Sequence, residues 1–197
     1  MSTGWILGIL LILLIFIAIS VYNKLVRLKN LYLNAFSQIE VQLERRYDLI
    51  PNLVESSKAY LKHESDVLER VIQARNNAHS SLVNCKNNLS TKHVLDNLNQ
   101  AEASLSHAFR QFSMLVESYP ELKANETIQS LIEELSNTEN RVSFARQAFN
   151  DSAMFYNSFR QSFPAVILAA SFGHSQNVEY FQTENKAEKL KAPKVSF

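Results

Sequence analysis

From Ile6 to Val21 the chain carries no charge, and thirteen of these residues are Ile, Leu, Phe or Val. Coiled as a helix, Trp5 to Tyr22 rises about 27 Å, close to the roughly 30 Å of a bilayer's hydrocarbon core. Each large apolar side chain favours insertion by about 0.3–0.6 kcal/mol, so the run sums to roughly 4–8 kcal/mol, and nothing charged opposes it. Trp5 and Tyr22 flank the run, where amphipathic rings prefer the headgroup level. The expectation is a single membrane-spanning helix over 5–22, with 1–4 as a short external N-terminus. A cleaved signal peptide is the competing reading, because Ala18-Ile19-Ser20 offers a small-x-small site. Against it, Met1–Gly4 lacks the positive residues of an n-region, while Lys24, Arg27 and Lys29 follow the run directly. That asymmetry puts the N-terminus outside and the remainder in the cytoplasm.

Downstream of the run, about 170 residues remain, enough for one domain with its own core. The chain has only three glycines and four prolines, so long helices are the expected outcome. A net charge of +1 argues against a nucleic-acid binder, which needs a basic face. The lone Cys85 has no partner for an internal disulfide, in keeping with a reducing compartment.

Apolar residues at steps of three and four mark four helices, about 23–47, 49–84, 92–118 and 126–163. The first carries Leu25, Leu28, Tyr32, Phe36, Ile39, Leu43 and Tyr47. Pro51 then interrupts the pattern, so a break belongs near it, with Asp48 as N-cap of the next helix. A kinked continuous helix is the alternative. The second helix buries Val54, Leu61, Leu68, Val71, Ala78 and Leu82, and Cys85–Thr91 forms a loop with Ser90 or Thr91 capping the third. Val94, Leu98, Ala101, Leu105, Ala108, Phe112, Leu115 and Tyr119 line the third; Ile128 through Phe163 line the fourth, with Thr138 and Ser152 bonded to their own backbone. Such a repeat specifies coiled-coil-like packing. The fold expected is all-α, a single N-terminal transmembrane helix followed by an antiparallel four-helix bundle over 23–172. Ala165–Phe172 is apolar but too short to span a bilayer; it packs on the bundle end or dips into the membrane surface. Residues 173–197 form a polar, flexible tail, its charged part following Phe181.

The stretches Tyr22–Asn30 and Asn34–Val54, the latter containing Glu44-Arg45-Arg46-Tyr47-Asp48-Leu49-Ile50-Pro51-Asn52-Leu53, closely resemble the LemA family. So do Tyr119–Asn125, Thr138–Arg141, Ala145-Arg146, Tyr156-Asn157 and Phe163-Pro164, in the right order along nearly the whole chain. Phe36 stands where that family usually has Trp, and Glu44 where it often has Lys. The resemblance implies a bacterial single-pass inner-membrane protein with a cytoplasmic helical bundle and no established catalytic activity. It also makes a membrane zinc metalloprotease of the HtpX type a candidate partner.

Chemistry-bearing constellations are scarce. His63-Glu64 begins like a zinc-protease motif, but Val67 occupies the second histidine position. No Glu is followed by His three residues on, the pairing a di-iron bundle uses. The expectation is a non-enzymatic scaffold or adaptor with no cofactor, no metal and no small-molecule substrate, working with the lipid bilayer and a second copy or another membrane protein. The alternative is an enzyme with a metal or acid/base site hidden between helices. Arg45, Arg46, Asp48, Pro51, Glu139 and Arg146 are the candidate structural or partner-binding residues. In one reading Arg45 or Arg46 folds against Glu139 or the neighbours of Arg146 and locks helix order; in the other the charges are a solvated helix end. Gly4 and Gly8 form a GxxxG, a spacing that lets two helices approach closely in lipid.

Overall fold

A computed structural model of the chain describes residues 2–89 and 93–182, and among these every regular element is helical. The elements are α1 (Ser2–Lys58), α2 (Ser65–Asn87), α3 (Val94–Ser118), the single turn α4 (Pro120–Lys123), α5 (Glu126–Gln161) and the single turn α6 (Ala165–Leu168). The capping roles expected of Ser90 and Thr91, and the charged run beyond Gln182, lie outside the described residues.

α1 holds 57 residues and is about 85 Å long at 1.5 Å per residue. Its first third stands clear of the rest: residues 3–16 are exposed, and contact with the core begins at Ile17 and Val21. The apolar run and the first core helix are therefore one uninterrupted element. From Leu25 to Tyr47 the expected positions are buried, Tyr32, Phe36, Ile39 and Leu43 among them, except Leu28, which is half-buried against the core.

The break expected at Pro51, with Asp48 as a cap, is not there. α1 runs through Pro51 to Lys58, and the chain turns at Ala59–Glu64 instead. A proline in a helix interior leaves the carbonyl four residues back without its donor. That carbonyl belongs to Tyr47, and the Arg75 Nε of α2 donates to it at 3.0 Å. A side chain from the neighbouring helix thus stands in for the missing amide. Ile50, Leu53 and Val54, on either side of the proline, are buried and hold the segment to the core. α2 also extends further than expected: Cys85–Asn87 are helical rather than loop.

α5 packs along α1, α2 packs on both α1 and α3, and the contacts order them. Tyr32 meets Phe149 and Tyr156, Arg45 meets Glu134, and the Asn125 Nδ2 donates to the Tyr60 hydroxyl, so positions fall along α5 as they rise along α1. Likewise Tyr47 lies against Arg75 and His79 of α2, and Glu40 pairs with Lys86. Asn125 caps α5, accepting from the amides of Thr127 and Ile128 at 3.0 and 3.2 Å. Thr138 and Ser152 do bond back to their own helix, at the carbonyls of Glu134 and Ala148.

The tail expected from residue 173 onward is, up to Gln182, packed on α5. Two asparagines seven residues apart on one helix face bind its backbone. Asn157 accepts from the Val178 amide at 2.9 Å and donates to the Val178 carbonyl at 2.8 Å. Asn150 does the same at Phe181, with 2.8 and 3.0 Å. The Phe181 ring is buried, edge-on to Phe149. Polar composition suggests a free segment, but these amides satisfy its backbone and Phe181 supplies the apolar anchor.

Candidate functional site

Midway along the core, three helices bring charge together. Arg46 of α1 is 4 % exposed and Glu102 of α3 is 3 % exposed. The Arg46 Nη1 donates to Glu102 Oε2 at 3.1 Å and its Nη2 donates to the Ser106 hydroxyl at 3.2 Å. The Tyr47 hydroxyl donates to the other carboxylate oxygen of Glu102 at 2.5 Å. Arg146 of α5 approaches the same oxygen, its Nη2 3.8 Å from Glu102 Oε2 and its guanidinium 5.4 Å from the centre of the Phe181 ring. One buried carboxylate thus gathers two guanidinium groups and a phenol from three helices.

The electrostatics keep Tyr47 a donor. Burial first, then the adjacent Glu102 carboxylate, push its phenol well above the usual tyrosine range. A cleft of about 440 Å³ opens beside the cluster, with Arg46, Glu102 and Arg146 at its floor and Glu139, Asp151 and Phe181 among its other walls. The Nε and Nη2 of Arg146 are shielded from solvent and have no hydrogen-bond partner, so Glu102 and the Phe181 ring compensate its charge. A slip of any of these helices past the others would leave a buried charge unpaired.

Of the residues singled out in the sequence, Arg46 and Arg146 meet at this cluster. The partner is Glu102, not Glu139: Glu139 is exposed on the cleft wall, one helix away from the carboxylate that binds Arg46. Arg45 points outward and pairs with Glu134, with half of its side chain in solvent. Asp48 is exposed on α1, and Pro51 is exposed within it. Gly4 and Gly8 lie on the unpacked part of α1, where an added Cβ would meet nothing. The sequence reading does not single out Glu102, Arg75 or Asn150, and it names Asn157 only within the family resemblance. Glu102 carried a signal: it sits four residues after Leu98 and three before Leu105, a charged residue at core spacing. Among the described residues no three His, Cys, Asp or Glu side chains are grouped to hold a metal ion.

Fold and cluster together define a class: all-helical proteins whose apolar N-terminal helix continues into a core clasped by a buried charge cluster. Residues 35–197 match the model of the LemA family, and the chain belongs to that family. No curated protein matches the chain.

Proposed function

We propose that this LemA-family chain is a membrane-tethered scaffold without catalytic activity: an antiparallel four-helix bundle held to a bilayer by the first third of α1. The observation that carries the reading is the continuity of α1. Fourteen consecutive exposed residues, 3–16, almost all apolar, extend rigidly from a helix whose remainder is core. Water does not tolerate an apolar surface of that extent, and lipid does. The opposed ordering of contacts between α1 and α5, and between α1 and α2, supports the bundle topology. Lys24, Arg27 and Lys29 support an N-terminus outside and a cytoplasmic bundle at the bacterial inner membrane.

Scaffolding requires something to hold. A second copy, packed through Gly4 and Gly8, and a membrane metalloprotease of the HtpX type are the partners this reading favours. Purification of the full chain from membranes in mild detergent tests it. Recovery of oligomers sensitive to Gly8→Leu, or of the protease, supports the role. A single chain with nothing bound, or turnover of a small molecule by the pure protein, contradicts it.

A further inference from the structure

The segment between Arg160 and His174 contains no charged residue. Phe163, expected on the buried seam of α5, instead follows its end and is 81 % exposed, with Val166 at 53 % and Ile167 at 66 %. Beneath them Ala165 and Ala169 are buried in the core, so the backbone of α6 is held firmly while its large side chains face out. α6 packs on α1, and the Phe172 ring stands edge-on to Tyr22, with centres 5.3 Å apart. Tyr22 is where the apolar run ends. The Lys24 Nζ lies 4.5 Å from the centre of the Phe159 ring at this same end of the bundle.

We propose that the α6 tip, through Phe163, Val166 and Ile167, inserts shallowly into the lipid surface beside the α1 span and gives the bundle a second point of membrane attachment. This rests on the reading of α1 as a span. The occupant is lipid because the patch is continuous with the lipid-facing helix. Phe172 ties it to the level of Tyr22, and Lys24 at the same end favours anionic headgroups. An apolar face at that level is buried by about 5–10 Å of insertion, a depth within reach of exposed Phe and Ile side chains on a fixed turn. The consequence is mechanical. Between Gly8 and Pro51 α1 contains no glycine or proline, so no hinge residue separates the bundle from its anchor. An inserted tip on one side then sets which face of the bundle looks along the membrane.

The test uses the full chain in a Cys85→Ala background, with an environment-sensitive fluorophore on one introduced cysteine at a time. The labels sit at Ile12→Cys in the span, at Phe163→Cys and Ile167→Cys on the tip, and at Lys123→Cys at the opposite end. Vesicles contain phosphatidylethanolamine, phosphatidylglycerol and a brominated phosphatidylcholine that quenches on contact. Insertion predicts loss of emission at Ile12, Phe163 and Ile167 and none at Lys123. Quenching at Ile12 alone overturns the insertion and leaves the span intact, whether the tip faces water or a second copy. Absence of quenching at Ile12 refutes the span itself, and the insertion with it.

Discussion

Arg75 is the residue that lets α1 pass through Pro51, and a double-mutant cycle isolates that role. An interior proline costs a helix about 3 kcal/mol, partly through the orphaned carbonyl. The Arg75 Nε donates to that carbonyl, on Tyr47, at 3.0 Å, and the guanidinium also lies 5.9 Å from the Tyr47 ring centre. A hydrogen bond from a charged donor contributes about 1.5–3 kcal/mol, and partial exposure places this one near the lower figure. The ring contact adds about 0.5–1 kcal/mol. Arg75→Met removes both, for a loss of about 2–3 kcal/mol. With Pro51→Ala already present, the new amide of residue 51 reaches the Tyr47 carbonyl, and Arg75→Met then costs only the ring contact. The expected coupling is about 1–2 kcal/mol, measured by urea unfolding in detergent micelles and followed by circular dichroism. Equal costs of Arg75→Met in both backgrounds, within about 0.5 kcal/mol, would refute the replacement of amide by guanidinium.

Three further outcomes are expected. Arg46→Ala takes from the buried Glu102 the guanidinium hydrogen-bonded to it and lowers stability by about 3–5 kcal/mol, whereas Arg45→Ala, at an exposed pair, costs about 0–1 kcal/mol; similar melting of the two variants would dismiss the clasp. Burial, with Lys29 second, holds the His174 imidazole below its ordinary 6.5, next to the Tyr156 hydroxyl at 2.9 Å. The unfolded chain therefore binds the proton more readily, so stability falls as pH drops below about 6.5 and levels off below the folded-state value. His174→Gln should flatten that part of the pH profile; an unchanged profile would exclude His174 as its source. Burial pushes the Cys85 thiol up to about 12, so maleimide should modify it at pH 8 only when the chain unfolds, and rapid native labelling would contradict the packing of α2.

What the sequence made legible was what depends on local periodicity. The buried positions of α1, α2 and α3 follow their three- and four-residue steps, and Thr138 and Ser152 satisfy themselves on their own helix. The failures share a different physics. Pro51 is a local breaker whose cost is offset by a residue of the next helix, 24 positions on, and no window around it contains that information. The turn at Ala59–Glu64 has neither Gly nor Pro; a buried Ser57, whose hydroxyl donates to the Leu53 carbonyl, and a buried Leu61 mark it only in three dimensions. The binding of residues 178–181 by Asn150 and Asn157 was hidden for the same reason, since an asparagine that serves a distant backbone looks like any surface amide. Of the charge cluster, Arg46 and Arg146 were visible, but the carboxylate between them was sought on α5 and lies on α3.

If the apolar third of α1 crosses a bilayer as proposed, residues 3 and 121 lie on opposite sides of it. In a Cys85→Ala background, Thr3→Cys and Glu121→Cys report the two sides through a membrane-impermeant maleimide. Intact cells should label residue 3 and not residue 121, and opening the membrane should expose residue 121. Labelling of residue 121 in intact cells, or recovery of a soluble chain trimmed after Ser20, would contradict it.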